Sequence, residues 1–228
     1  MQNKLNFDIK KNSEINKTFR VSKIMGQFDL KPEHSNEHFV GTIELPSQWQ
    51  IGAIVGPSGT GKTTIAKNLF DDKFIKNNYN EKSVIDDMPK QCSIEEISKM
   101  FYAVGFGSVP SWLKPYDVLS NGEKMRVDLA NAMLKDDFCV FDEFTSVVDR
   151  NVAETMCIAI NKFLSKHQEK KFVAISCHYD ILEWLQPDWY FDTGQMKTFF
   201  GTSHALKNNF QSESVAKKNG KNLGNIII

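Results

Sequence analysis

The feature that most constrains this chain is a glycine-rich stretch that directly follows a short apolar run. Residues 51–55 read IGAIV, and residues 56–64 read GPSGTGKTT. The stretch matches the pattern G-x-x-x-x-G-K-[ST] at each fixed position. The apolar run predicts a buried strand and residues 63–70 predict a helix, which is the context that a phosphate-binding loop requires. This context disfavours the alternative, a glycine-rich turn without a ligand.

Each part of the loop has a predicted role in holding nucleotide phosphates. Glycines let backbone N–H groups point at phosphate oxygens, and the positive end of the following helix adds to the attraction. Lys62 is expected to reach the β and γ phosphates, and the Thr63 hydroxyl is expected to hold Mg²⁺. The predicted nucleotide-binding residues of the loop are Gly56, Pro57, Ser58, Gly59, Thr60, Gly61, Lys62, Thr63 and Thr64.

A second apolar run ends in two acids. Residues 138–143 read FCVFDE, which predicts a core strand with Asp142 at its carboxyl end, where ligands bind in open α/β sheets. Asp142 is expected to order the Mg²⁺ shell, and Glu143 to accept a proton from an attacking water. A lone glutamate at a strand end is usually only solvated, but this one follows Asp142 in a chain with a phosphate loop.

Short apolar strands that alternate with helices predict an α/β fold with a mainly parallel core sheet covered on both faces. The β-rich composition of residues 18–30 and 38–45 predicts an antiparallel layer near the N-terminus. Residues 1–17 are expected to be a flexible segment, 18–201 the domain and 202–228 a loose tail. Further strands are predicted over 82–87 and 171–176, helices over 93–105, 121–135, 151–170 and 179–186, and a hairpin over 189–200.

Composition indicates an ordinary soluble, cytoplasmic protein. Lys+Arg and Asp+Glu both number 28, so no global positive field favours nucleic acid. The four cysteines form no C-x-x-C pair and are expected to be reduced thiols. The first residues contain no apolar core of a signal peptide, and no apolar run approaches the ~18 residues that a membrane-spanning helix needs.

The stretch Leu119-Ser120-Asn121-Gly122-Glu123 gives the chain its closest resemblance to a family. Ser120 and Glu123 have the spacing of a helix capping box, and the same helix start is a potential anion site. In order and spacing the motifs resemble the ABC ATPase superfamily, whose signature is Leu-Ser-Gly-Gly followed by Gln or Glu. Residues 146–149, SVVD, resemble the D-loop of that family, and His178 lies at the position of its switch histidine.

The resemblance implies an ATP hydrolase of the P-loop NTPase class that uses ATP and Mg²⁺ and forms an ATP-dependent, head-to-tail homodimer. It assigns catalysis to Lys62, Glu143 and His178, and places Ser120 and Gly122 over the nucleotide of the other subunit. Phe28, or alternatively Phe19, is expected to stack on adenine like the A-loop aromatic of the family. For either phenylalanine, a core position on a strand is an equal alternative.

Residues 84–89, 108–124, 141–150 and 176–192 resemble more closely a soluble branch of bacterial and phage ABC ATPases, some fused to a predicted acetyltransferase domain. No segment here has the size of an acetyltransferase. Asn121 replaces the first signature glycine, the interval between Lys62 and Ser120 is short, and no clear Q-loop glutamine is present, since Asp86 or Asp87 occupies that region. The short interval predicts a trimmed helical subdomain.

Several functions follow from this pattern. The preferred one is a soluble ATPase whose cycle switches binding of a protein or nucleic-acid partner, such as DNA or a DNA-processing protein. The main alternative is the ATP-binding subunit of an ABC transporter. A small-molecule or nucleoside kinase is disfavoured because arginine occurs only at Arg20, Arg126 and Arg150. An ATP-gated adaptor whose turnover is incidental is the non-enzymatic alternative.

Overall fold

The computed structural model describes residues 3–11, 18–30 and 37–201. The strands in these ranges are β1 (Asn3–Lys11), β2 (Glu37–Leu45), β3 (Ile51–Val55), β4 (Phe138–Phe141), β5 (Lys171–Ser176), β6 (Trp189–Asp192) and β7 (Lys197–Phe200). The α-helices are α1 (Phe19–Gln27), α2 (Lys62–Phe70), α3 (Ile94–Ala103), α4 (Val109–Trp112), α5 (Asn121–Lys135), α6 (Arg150–Leu164) and α7 (Ile181–Leu185). Two 3-10 turns cover Asp71–Lys73 and Tyr116–Val118.

The core is a five-stranded sheet in the order β4-β5-β3-β6-β7. Strands β4, β5, β3 and β6 are parallel, and β7 is antiparallel to β6, which confirms the predicted parallel-rich α/β fold. All residues of β3 are buried, as expected for a central strand covered on both faces. Because Val55 is level with Ser176 of β5 and Asp192 of β6, the glycine-rich loop leaves the sheet at its centre.

Two apolar clusters cover the two faces of this sheet. Ala53 and Val55 pack in the cluster that includes α3, α5, α6 and α7. Ile54 points to the other face and packs with α2 and the β1–β2 pair. The alternation along β3 therefore places α2 opposite the layer formed by α5 and α6. Complete burial of a side chain such as Ile54 stabilises the fold by roughly 1.5–3 kcal/mol.

The N-terminal antiparallel layer exists, but different residues form it. β1 pairs with β2 from Asn3 opposite Leu45 to Lys11 opposite Glu37. The expectation that this first segment is flexible is therefore wrong for residues 3–11. The expected strand over 18–30 is also wrong, because residues 19–27 form α1. Thr18 caps that helix: its Oγ1 accepts a hydrogen bond from the Val21 amide at 3.3 Å.

The segment between α2 and α5 is compact and contains α3, the short α4 and turns. The strand expected over 82–87 is wrong, because these residues form turns. Their backbone is held by hydrogen bonds from Val84 N to Lys114 O at 2.9 Å and from Ile85 N to Trp112 O at 3.2 Å. The helix expected over 151–170 begins one residue earlier and ends at Leu164. The predicted tail, 202–228, lies outside the described residues.

Candidate functional site

The glycine-rich loop has the backbone that its sequence predicts. Gly56, Gly59 and Gly61 have φ values of 152°, 82° and 83°, which L-residues with side chains rarely adopt. A Cβ on Gly56 would collide with the Thr193 hydroxyl, whereas Gly59 faces open space. The loop is therefore packed tightly against the protein at Gly56 and open to solvent at Gly59, and the tight packing requires a glycine.

The helix that follows the loop begins without a side-chain cap. Gly61 is the N-cap of α2 and has no side chain to accept from the first N–H groups. In contrast, side-chain oxygens cap α3, α5 and α6 at Ser93, Ser120 and Asp149. The first turn of α2, which includes Lys62, Thr63 and Thr64, thus offers backbone donors and the positive helix end to an anion.

Lys62 lies over the loop, with 8% of its surface exposed. Its ammonium donates to the carbonyl of Gly56 at 3.0 Å and to that of Pro57 at 2.8 Å. An ammonium has three donors, so a third stays available for a phosphate oxygen. Pro57, Ser58 and Gly59 are exposed on the open side of the loop.

Thr63 and Asp142 meet at the place where a magnesium ion is expected. The Thr63 hydroxyl, in the first turn of α2, donates to Asp142 Oδ1 at 3.0 Å. Asp142 follows the last residue of β4, so two chain segments far apart in sequence supply adjacent oxygen ligands. Hydroxyl and carboxylate oxygens suit Mg²⁺, which binds few protein ligands and keeps several waters. These residues therefore fit the metal that the sequence predicts.

Glu143 extends the carboxyl end of β4 in an unusual conformation. Its φ is 51° and that of Thr145 is 68°, both in the left-handed region. Each such residue costs on the order of 1–3 kcal/mol and persists only where neighbouring contacts impose it. Here the contacts are Glu143 N to Asp142 Oδ1 at 3.0 Å and Phe144 N to Ile175 O at 2.8 Å. The turn leaves the Glu143 carboxylate exposed at the edge of the sheet.

His178 leaves the end of the neighbouring strand. β4 and β5 are adjacent, so Glu143 and His178 emerge at the same edge of the sheet. The His178 amide donates to Ser176 Oγ at 3.1 Å, which fixes the backbone. Its ring Nδ1 is buried and has no hydrogen-bond partner in the part of the chain that the structure describes. A buried, unpaired ring nitrogen needs a partner, which makes His178 a candidate ligand-binding residue.

Ser120 and Gly122 lie at the start of α5, apart from the loop. Ser120 Oγ accepts from Glu123 N at 3.3 Å, and Glu123 Oε2 accepts from Ser120 N at 3.0 Å, which confirms the predicted capping box. Gly122 packs beside Val148, where a Cβ would lie 3.4 Å from that side chain. Among the hydrogen bonds of the described residues, none joins Ser120 or Gly122 to residues 56–64.

Phe19 lies in α1 and Phe28 at its end, so the alternative of a core position on a strand is wrong for both, whereas stacking on adenine stays a prediction. Phe28 is the C-cap of α1 and 62% exposed, and Phe19 is more exposed still. Phe39, on β2, is the ring that packs against the phosphate loop: a Cβ on Gly61 would lie 2.6 Å from its Cε1. Phe39 was not predicted from the sequence, because the composition of residues 38–45 indicates a strand but not which of its side chains faces the loop.

Thr193 is a second residue that sequence reasoning missed. It follows β6, in the turn predicted for the hairpin, and its Oγ1 lies 2.5 Å from Thr60 Oγ1 and 3.1 Å from Val55 O. It therefore connects both ends of the phosphate loop to the sheet. The available signal was the short apolar strand before it, which predicts a parallel neighbour of β3.

The acidic pair in the Q-loop region serves the local turn. Asp87 Oδ1 accepts from the amides of Asn80 and Glu81 at 2.9 and 3.1 Å. The Ser83 hydroxyl donates to Asp86. Asp87 Oδ2 is buried and has no partner among the described residues. The segment is thus organised by its own carboxylates, without a glutamine.

We compared the sequence and the structure of this chain with those of known proteins. No protein-family model matches the chain. A curated Bacillus subtilis (strain 168) protein, "Probable peptide export ATP-binding protein YydI", is 24% identical over 163 residues, which are 63% of this chain and 78% of that protein.

Solved structures give a similar result at lower identity. MJ0796, a bacterial ABC transporter cassette, superposes on this chain with a TM-score of 0.51 at 16% sequence identity. The match covers 69% of this chain and 89% of the MJ0796 chain. MJ1267, an ATP-binding cassette of an ABC transporter in its ADP conformation, gives a TM-score of 0.57 at 14% sequence identity. The match covers 78% of this chain and 90% of the MJ1267 chain. A bacterial Atm1-family ABC exporter with ATP bound gives 0.56 at 17% over 78% of this chain, which spans only 38% of the exporter chain. The chain thus has the fold of ABC ATP-binding cassettes.

No helix within residues 3–11, 18–30 and 37–201 combines the length and the apolar character needed to cross a bilayer.

Proposed function

We propose that this chain is an ABC-type ATPase that binds ATP with Mg²⁺ and hydrolyses it. The observation that carries the proposal is the contact between Thr63 Oγ1 and Asp142 Oδ1 at 3.0 Å, beside an uncapped helix start. A glycine-rich turn without a ligand needs neither the uncapped helix nor a carboxylate placed against its threonine. The ABC-cassette fold is a further support.

Each residue has a role in this proposal. Backbone N–H groups of residues 56–64 and the Lys62 ammonium bind phosphate oxygens, and Phe39 supports the loop at Gly61. Bound Mg²⁺, held by Thr63 and Asp142, supplies charge neutralisation at the phosphates. Glu143 accepts the proton of the attacking water, and His178 uses its unpaired Nδ1 side to bind a phosphate oxygen or that water.

The proposed active form is a head-to-tail homodimer. Ser120 and Gly122 begin a helix and make no hydrogen bond to residues 56–64 of their own chain. The Ser120 hydroxyl donates to Glu123 Oε2 at 2.9 Å, but it is exposed and can rotate to donate instead to the terminal phosphate held by a second copy. Gly122 permits the close approach that this contact needs. Loss of that phosphate removes the contact, so hydrolysis shifts the population toward separate subunits.

Two uses of this cycle are proposed. The first is an ATP-dependent switch that binds a protein partner, which follows from the resemblance to a soluble branch of bacterial and phage ABC ATPases. The second is the ATP-binding subunit of a transporter, and a specific observation favours it: the curated relative is described as a probable peptide export ATP-binding protein, and the structural neighbours are transporter cassettes or an exporter.

The test of the ATPase proposal compares the natural chain with Glu143→Gln and Lys62→Ala. Removing the general base should lower ATP turnover by roughly 10²–10⁴-fold while ATP still binds. Lys62→Ala should weaken ATP binding itself. Light scattering with saturating ATP and Mg²⁺ should show a dimer for Glu143→Gln and a monomer for Lys62→Ala. Natural turnover in Glu143→Gln, or a monomer of Glu143→Gln with saturating ATP and Mg²⁺, would contradict the proposal.

The use of the cycle is tested with the same variant. Glu143→Gln is purified from its native cell with ATP and Mg²⁺ and compared with a preparation without nucleotide. An integral membrane protein that is retained only with ATP supports the transporter subunit. A different protein that is retained only with ATP supports the switch. Retained DNA would contradict both uses as stated here.

A further inference from the structure

A groove of about 700 Å³ lies between α3, α5 and α6, away from the phosphate loop. Its apolar floor is formed by Met100 of α3, Met133 of α5, and Ile158 and Phe163 of α6. Ile158 is 54% exposed, although its neighbours Cys157 and Ile160 on α6 are buried. The volume is within the range of ligand-sized clefts, and the groove is partly open to solvent.

The rim of this groove is basic. Lys99, Lys162, Lys166, Lys170 and His167 line it, and Glu96 is the acid among the lining residues. Some of these cations are already used: Lys99 pairs with Glu95 at 2.6 Å, and Lys170 lies 3.5 Å from Asp137.

Lys162 and Lys166 differ from the other cations on the rim. Neither has an acidic side chain within ion-pair distance in the described ranges. They are exposed and four residues apart, so their ammonium groups lie along one side of the groove. Unpaired positive charge beside an apolar floor selects a ligand with both apolar and acidic groups.

We propose that this groove binds an amphipathic helix of a partner protein, with acidic residues beside its apolar stripe. A helix suits the shape because an open cleft between helices accepts apolar side chains at i, i+3, i+4 and i+7. Acidic residues flanking that stripe would pair with Lys162 and Lys166. The tail of this chain is a poorer occupant, because residues 202–228 contain four lysines and one glutamate and the rim would repel it.

None of the residues assigned to ATP turnover lines the groove, so the interaction is tested without nucleotide. The probe is a fluorescent synthetic helix of ~15 residues, about four turns, with leucines in the i, i+3, i+4, i+7 pattern and glutamates flanking them. We expect saturable binding to the full chain, weakened at least about tenfold by Lys162→Glu combined with Lys166→Glu, and weakened by salt. Ala159→Trp, which fills the floor, should also reduce binding.

Matched controls distinguish specific binding, which depends on charge and shape, from non-specific binding. Lys67→Glu reverses an exposed lysine of α2, on the opposite face of the sheet, and should leave peptide binding unchanged. A probe with lysines in place of glutamates should bind at least about tenfold more weakly. Circular dichroism and ATP turnover of each variant confirm that the fold is retained.

Several outcomes overturn the inference. These are the absence of binding, equal binding to the double lysine variant, or equal binding of the lysine probe. Carbodiimide, which joins lysines to carboxylates, should link Lys162 or Lys166 to the probe. Links instead to residues 202–228 or to a second copy would assign the groove to those occupants and overturn the proposal.

Discussion

Arg150 forms a two-point ion pair with Asp180, with Arg150 Nε donating to Oδ2 at 2.7 Å. The same guanidinium lies 3.4 Å from Thr145 Oγ1 and over the ring of Trp184, 5.0 Å from its centroid. Thr145 belongs to the turn that carries Glu143, and Asp180 follows His178 by two residues. One side chain therefore joins the two loops whose residues are assigned to the reaction.

Replacing Arg150 should impair turnover more than binding. Arg150→Ala removes the connection between the loops, and small displacements of catalytic groups are costly, so we expect kcat to fall by about tenfold or more with little change in KM for ATP. Arg150→Lys should restore only part of the rate, since an ammonium cannot form the two-point pair. Steady-state kinetics measure both values.

The same substitution should cost little stability. The Arg150 and Asp180 side chains are more than a third exposed, so the pair contributes less than about 1 kcal/mol to the free energy of unfolding. Arg20→Ala, at an exposed position of α1, is the control and should change neither kcat nor stability. A normal kcat in Arg150→Ala would show that the two loops keep their positions without the guanidinium.

Phe39 should matter for ATP binding where Phe28 does not. Phe39 contacts Gly61 of the phosphate loop and is half-buried, whereas Phe28 is mostly solvated. We expect Phe39→Ala to weaken ATP binding about tenfold and to lower the free energy of unfolding by about 1–3 kcal/mol, below the cost at a fully buried site. Calorimetric titration with Glu143→Gln as background measures the affinity. A larger loss for Phe28→Ala would favour Phe28 as the ring that stacks on adenine.

The sequence predicted the core of the fold because its signals are local and strong. Strand β3, the loop and α2 follow from one uninterrupted pattern, and the start of α5 follows from the Ser120–Glu123 box. The missed strand β1 also had a signal: Leu5, Phe7 and Ile9 alternate with polar residues, and Phe7 is buried. A polar composition obscured that alternation.

Other features depend on contacts that no local pattern contains. Residues 19–27 have β-rich composition, yet the Thr18 cap makes them a helix with no buried residue. Residues 82–87 look like a strand, but their amides bond the carbonyls of Trp112 and Lys114, far along the chain. Likewise, Phe39 and Thr193 reach the phosphate loop only through sheet pairing, which fixes neighbours that sequence spacing does not.

The cysteines should divide into two classes by reactivity. Burial raises the pKa of the Cys139 and Cys157 thiols to about 12, so both are protonated and shielded at neutral pH. Cys92 and Cys177 are partly exposed. We expect a thiol reagent at pH 8 to label Cys92 and Cys177 in the native protein, and Cys139 and Cys157 only after denaturation.

The raised thiol pKa values also set a direction for stability. The unfolded chain loses these protons first, at the ordinary cysteine pKa of about 8.5. The two buried thiols therefore leave the free energy of unfolding unchanged below that pH and lower it as the pH rises further. The double variant Cys139→Ala, Cys157→Ala should keep native labelling of Cys92 and Cys177, gain no further labelling on denaturation, and show a weaker fall in Tm between pH 8 and 10. Rapid native labelling of Cys139 would contradict the packed core described here.

The capping box of α5 should give the fold a specific sensitivity to acid. Hydrogen bonds from the Ser120 backbone amide, and then from its side chain, hold the pKa of Glu123 below its usual 4.5. The depressed pKa means that the charged form is favoured in the folded state. Its stabilisation is therefore present above pH 4.5 and is lost as the pH falls through the lower, folded pKa.

Glu123→Gln tests this directly, because glutamine keeps an acceptor but does not titrate. At pH 7 the variant should lose less than about 1 kcal/mol, the usual size of a charge at a helix start. Its Tm should then fall less steeply than that of the natural chain between pH 5 and 3. Glu154→Gln, at an exposed position of α6 that caps no helix, should keep the natural slope. Identical slopes for all three proteins would mean that the Glu123 carboxylate does not stabilise the start of α5.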